Sequence, residues 1–158
     1  MKLFKQGFVS VMEENKRLQY IKSLIGKPFS GSASPFGHFL KGEVLAADEK
    51  STEIKFRVRK DMTNPVGTLH GGVTSAMIDD CMGVTFFVLG LEYFYPTINL
   101  NVDFFHAAFE DDDVRVKTRV VKQGKTIINL KAEVFNSEDK LLAQATSNIA
   151  VSGIKITF

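Results

Sequence analysis

The residues best suited to chemistry lie in one stretch: Asn64-Pro65-Val66-Gly67-Thr68-Leu69-His70-Gly71-Gly72-Val73-Thr74-Ser75-Ala76-Met77-Ile78-Asp79. A glycine pair at a helix start lets a carbonyl approach the backbone closely. The unpaired amides of the first turn, together with the helix dipole, stabilise developing negative charge. Gly71 is the best donor to such an oxyanion, with Gly72 beside it. Asp79 lies two helical turns beyond Gly71, so Gly71, Ser75, Asp79 and Gly83 share a stripe of small side chains that leaves space beside the carboxylate. In mostly apolar surroundings an aspartate is pushed toward its neutral form unless a hydrogen bond or a charge holds it ionised, a tension common at catalytic positions. Two roles are open to it, general base toward a water or nucleophile toward a carbonyl.

The same residues have plainer uses. The glycines can serve close packing of a helix start, and Asn64 before Pro65 is an ordinary turn former. Neighbouring helix positions point about 100° apart, so at most one of Asp79 and Asp80 faces a site, and the spacing favours Asp79. His70 stands just before the helix with no acid partner nearby in sequence, which suits fixing a loop better than acting as base. Cys81 has no basic neighbour in sequence and is read as a small buried hydrophobe. The acidic run 110–113 reads as a solvated turn.

Positioning these groups requires a scaffold. Val11, Met12, Leu18, Ile21, Leu24 and Ile25 recur at helical spacing and predict an amphipathic helix over 8–25, ended by Gly26 and Pro28. A linker rich in Gly, Ser and Pro runs through Gly37. Strands are expected at 38–47 and 51–59, paired as a hairpin across Asp48, Glu49 and Lys50. The run 71–89 is charged only at Asp79 and Asp80 and apolar around most of its circumference, the pattern of an enclosed core helix. Four further strands, 97–105, 114–122, 125–136 and 140–151, are expected as a meander with tight connections at Gln123-Gly124 and Asn136-Ser137-Glu138-Asp139. An antiparallel sheet wrapped around one long helix buries all these apolar faces, an α+β arrangement. Its outer face or an edge strand then needs cover, and a second copy of the chain supplies it economically.

The chain has 158 residues, 44% of them hydrophobic, enough for one substantial core and too few for a second domain. A charged fraction of 24% and a mean hydropathy of +0.00 exclude disordered and membrane-spanning classes. The net charge of +2 is too mild, and its lysines and arginines too scattered, to announce a nucleic-acid partner. One cysteine cannot form an internal bridge, no metal-ligand spacing surrounds it, and neither a secretory signal nor a spanning segment is evident. A cytoplasmic protein without metal or redox cofactor and without membrane insertion is expected.

The Asn, Gly, His-Gly-Gly and helical Asp of the 64–79 stretch resemble the hotdog-fold thioesterases of the phenylacetate-degradation type, which hydrolyse acyl-CoA thioesters. The segment 97–108 and the turn Lys122-Gln123-Gly124-Lys125-Thr126 are also similar to that family, so the resemblance covers roughly 37–151. It implies a hotdog domain over 31–158 preceded by an N-terminal helical segment and linker over 1–30. It also implies a homodimer or a dimer-of-dimers tetramer whose Asp79 faces the Gly71 helix terminus and Asn64 of another subunit. Asn64 then orients the water or the thioester carbonyl, and Thr97 holds the water or the carboxylate. His70, Gly72 and Ser75 are expected beside the substrate, and Lys122 or Lys125, from charge and turn position, near the CoA phosphates. Two departures affect loop shape: Pro65 after Asn64, and His106-Ala107-Ala108 where a proline is expected. His38, in Phe36-Gly37-His38-Phe39, superficially resembles the motif of hotdog dehydratases, but the glutamate such enzymes carry on the core helix is missing. A hydratase therefore lacks its His and acid pair, and the principal rival is a module that binds acyl-CoA without turning it over. Phe86, Phe87, Phe94, Phe104 and Phe105 are core residues first, with some of them candidates to line an acyl pocket.

Overall fold

Alternating apolar and polar residues build a six-stranded antiparallel sheet around one long helix. The computed structural model describes residues 15–27 and 34–155. In chain order these form α1 (Lys16–Ser23), α2 (Pro35–Leu40), β1 (Glu43–Ala47), β2 (Ser51–Arg57), a short 3-10 turn (Lys60–Met62), α3 (Gly71–Val88), β3 (Thr97–Phe104), β4 (Asp113–Gln123), β5 (Ile127–Phe135) and β6 (Leu141–Ala150). Ile54, Phe56, Val116, Leu130, Ala132 and Val134 point inward and are buried with Met77, Ile78 and Cys81 of α3. The opposite face of the sheet is polar, carrying pairs such as Lys55–Glu43 at 2.8 Å, Arg115–Glu53 at 2.6 Å and Lys131–Glu133 at 2.8 Å. That face needs no apolar cover. Within the core, the hydroxyls of Thr52, Thr85 and Thr118 bond to one another and fix α3 to β2 and β4.

The strand order is β1-β2-β4-β5-β6-β3, so only β4, β5 and β6 form the expected meander. Both edges of β4 are taken by β2 and β5, and the connection after Phe104 crosses the end of the sheet, leaving β3 at the far edge beside β6. Residues 35–40, expected as linker and the start of a strand, are instead the helix α2. Ser34 caps it by accepting from the Gly37 amide at 3.1 Å, Pro35 suits its first turn, and Lys41 ends it in the left-handed conformation at φ 56°. Arg59 donates to the Phe39 and Leu40 carbonyls at 2.9 and 3.3 Å, satisfying acceptors that the helix end leaves unpaired.

The N-terminal amphipathic segment appears as α1, while Val11, Met12 and Pro28 of that expectation lie outside the described residues. Leu18 and Ile21 are buried, and Asn15 both caps α1 and donates to the Val88 carbonyl of α3 at 2.6 Å. α3 ends as its sequence suggests, with Gly90 in the left-handed region at φ 68°. No helix among the described residues is long and apolar enough to cross a membrane.

Candidate active site

His70 is the N-cap of α3, and its Nδ1 accepts from the Gly72 amide at 2.9 Å. The Val73 and Thr74 amides donate to the His70 carbonyl at 2.9 and 3.0 Å. Of the first four amides of α3, only that of Gly71 has no partner among the described residues. No acidic residue occupies the first turn, so the positive end of the helix dipole is uncompensated there. Among the described residues a single first-turn N–H is thus left open, and it belongs to Gly71. Gly72, expected beside the substrate, has its amide committed to His70. Ser75, expected there too, donates its hydroxyl to the Gly71 carbonyl at 2.9 Å.

The loop before α3 is shaped by Asn64. Its Oδ1 accepts from the Val66 and Thr68 amides, each at 3.1 Å, and its Nδ2 donates to the Thr68 hydroxyl at 2.7 Å. Pro65 follows Asn64 in a turn closed by Gly67 N–H donating to the Asn64 carbonyl at 2.9 Å, with Gly67 at φ 80°. The turn-forming use of Asn64 is therefore realised, and its amide keeps one N–H for a ligand.

Asp79 is exposed on the face of α3 that also shows Gly72 and Gly83. Thr97 donates its hydroxyl to Asp79 Oδ1 at 2.9 Å. A bulge makes this contact possible. Asn99, Asn101 and Asp103 pair with outward-facing residues of β6, and strict alternation would turn Thr97 outward as well. The register shift between Thr97 and Asn99 instead pairs Thr97 with the inward-facing Ile149 and aims it at α3. Oδ2 of Asp79 has no partner among the described residues.

A second bulge, between Val120 and Lys122, turns Lys122 to the outer face opposite Asn129, away from α3. Lys125 lies in the loop that Gly124 starts. Gln123 pairs with Ile128, Ile128 with Ile149, and Ile149 with Thr97, so that loop is at the Asp79 end of the sheet. Gly71 is at the other end: a β-carbon added to it would sit 3.4 Å from Cζ of Phe104, the last residue of β3. One chain therefore joins Asp79 with Thr97 and Gly71 with Phe104, but keeps the two pairs about 12 Å of helix rise apart.

Asp80 faces elsewhere. Burial raises its pKa, against which a hydrogen bond with Ser34 at the start of α2 acts to lower it, while Asp79 raises it further. The folded state thus holds this proton more tightly than the unfolded chain, and stability is lost as pH rises from the usual aspartate range through the raised pKa. Asp80→Asn is expected to melt at or above the wild type at neutral pH, with the difference closing in acid. A lower melting temperature at neutral pH would contradict this assignment. The Cys81 thiol is buried and its pKa is pushed well up, so it is inert.

Residues 66–143 match the model of the Thioesterase superfamily. Acyl-coenzyme A thioesterase 13 of Mus musculus is 30% identical over 104 residues, covering 64% of this chain and 72% of that protein. The chain belongs to the thioesterase superfamily. The PaaI protein from the phenylacetic acid degradation operon of E. coli superposes with a TM-score of 0.77 at 17% identity, over 90% of this chain and 99% of that one. A hypothetical thioesterase from Streptococcus pneumoniae, solved with coenzyme A, gives a TM-score of 0.68 at 23% identity, over 75% and 94% of the two chains. Both share the hotdog fold seen here, a helix enclosed by an antiparallel sheet.

Proposed function

We propose that this protein hydrolyses acyl-CoA thioesters at sites built by two copies of the chain. The observation that carries this reading is the attachment of the two reactive groups to opposite ends of β3, Asp79 to Thr97 and Gly71 to Phe104. Among the described residues β3 bonds only to β6, which leaves its other edge open, and along it Ile98 is 55% and Phe104 54% exposed. Two copies joined by antiparallel β3–β3 pairing about a two-fold axis set Thr97 beside the partner's Phe104. Asp79 then meets the partner's Gly71 across the interface.

In such a site the thioester carbonyl accepts the Gly71 N–H, and the other chain's Asp79 acts as general base. Thr97, whose proton is given to Oδ1, keeps lone pairs that accept one hydrogen of a water while Oδ2 takes the other. The water oxygen bonds to the carbonyl carbon as its proton passes to Asp79, and the carbonyl electrons move onto the oxygen at Gly71. Collapse of this intermediate breaks the carbon–sulfur bond, and the leaving thiolate regains the proton from Asp79. Lys125 is the cation placed for CoA phosphates, since Lys122, at the same end of the sheet, faces outward. The superfamily match, the named acyl-CoA thioesterase relative and the relative solved with coenzyme A support this substrate class. A cytoplasmic setting suits the single reduced thiol.

Free-thiol release from acetyl-, octanoyl-, palmitoyl- and phenylacetyl-CoA tests the reading. Release of CoA from at least one of them is expected; binding of all four with no thiol appearing would move the protein to the acyl-CoA-binding modules.

A further inference from the structure

Beside Gly71 the fold leaves a groove of about 320 Å³ between the first turn of α3 and the end of the sheet. Its wall is Leu69, Phe104, Ala108, Val134, Leu142 and Ala143, mostly apolar, and Ala107 stands at its margin. Its two hydroxyls each hold a hydrogen bond within the chain: Thr68 accepts from Asn64, and Thr74 donates to the His70 carbonyl. The loop closing the groove is fixed despite lacking the expected proline. The Phe105 and His106 amides both donate to the Leu142 carbonyl, the Leu69 amide donates to Ala108, and the His106 ring bonds through Nδ1 to the Leu141 carbonyl at 2.9 Å. A carbonyl only accepts, so Nδ1 carries the proton.

We infer that this groove receives the acyl group of the substrate, and that Phe104 and Ala107 set the length it accepts. The inference rests on the hydrolytic reading, because the thioester carbonyl is placed at the Gly71 amide. From that point the groove leads away within the chain that supplies Gly71, whereas the Lys125 brought to this end of the paired sheet belongs to the chain that supplies Asp79. The acyl chain therefore belongs to the subunit that supplies Gly71, and the CoA moiety to the one that supplies Asp79. The volume is near the lower end of the ~300–1,000 Å³ range of small-molecule sites, too small for CoA itself. That selects a medium-length acyl chain or a single aromatic ring over a long fatty acyl chain. Phe104 is half-exposed with its ring against Gly71, and Ala107 is exposed at the mouth, so a larger residue at 107 narrows the entrance without entering the core.

The test compares the wild type with Ala107→Phe and Phe104→Ala, all checked for melting temperature and oligomeric state. Calorimetric binding of octanoyl-CoA is set against free CoA, and kcat/KM is measured for acetyl-, octanoyl-, phenylacetyl- and palmitoyl-CoA. The wild type is expected to bind octanoyl-CoA more tightly than CoA by roughly tenfold or more, and Ala107→Phe to lose most of that gain and to lower the octanoyl-to-acetyl ratio of kcat/KM by a similar factor. Phe104→Ala is expected to move the preference toward palmitoyl-CoA, and it decides the matter alone if Ala107→Phe does not fold. Unchanged ratios in both folded variants, with thiol still released, would overturn the groove assignment while leaving hydrolysis intact. Binding gains that respond to the substitutions without any thiol release would keep the groove and remove the hydrolytic reading.

Discussion

Gly71→Pro is expected to fold normally and to lose about 10²–10³-fold in kcat, the effect of removing one oxyanion donor elsewhere. The reason lies in the cap of α3. Gly71 is its first helical residue, a position that proline tolerates well because its amide makes no bond within the helix. His70, at φ −65° and ψ 131°, already has the extended conformation that a residue before proline adopts. The substitution therefore deletes the one first-turn N–H that has no partner among the described residues, and it removes no hydrogen bond found there. Gly71→Ala is the matched control. Its methyl group reaches Phe104 at 3.4 Å, an ordinary contact, and its N–H remains. Steady-state kinetics and thermal melting of the two variants check the argument: a large loss in the proline variant at near-native melting temperature, with a much smaller one in the alanine variant, is expected. Equal losses in both would mean that groove shape, and not the amide, matters at this position.

Asp79→Asn is expected to lower kcat by about 10²–10⁴-fold, the usual contribution of a general base, with little change in melting temperature. Asparagine nearly preserves the side-chain size and can still accept the Thr97 hydroxyl through its carbonyl oxygen, so the geometry of the contact survives while the base is lost. The exposure of Asp79 in the single chain makes a structural penalty small. Asp80→Asn provides the contrast, since that side chain turns toward Ser34 and away from the exposed stripe. Measured kcat values for the two neighbouring variants should differ by orders of magnitude. Full activity in Asp79→Asn would place the base elsewhere.

Much of the scaffold was legible because its signals are local. The nearly uncharged run 71–89 announced α3, and the strands expected at 51–59 and 140–151 appear as β2 and β6. α2 was missed because six residues are too few for periodicity, although Ser34 followed by Pro35 was a usable helix-start signal. The place of β3 beside β6 depends on pairing between residues far apart in sequence, which alternation does not encode. Bulges set the limits at the site. One turns Thr97 inward to Asp79 and another turns Lys122 outward, so counting alternate residues gives the wrong face for both. Thr97 came from family resemblance, whereas Gly71 followed from the physics of a helix start. The exposure of Phe104 against Gly71 arises from the sheet end and its edge, and no feature of the linear order separates it from the other phenylalanines.

In the proposed site one chain's Gly71 and the other's Asp79 serve the same carbonyl. The most direct test of this sharing joins the two inactive variants in one oligomer: Gly71→Pro and Asp79→Asn chains, carrying different affinity tags, are co-expressed and purified through both tags. A mixed dimer has one doubly altered site and one with native Gly71 and native Asp79, because the two-fold axis exchanges the contributions. Thiol release at about half the wild-type rate per dimer is the predicted result, from two chains that are each nearly inactive alone. A mixed oligomer as inactive as its parents would contradict the shared site.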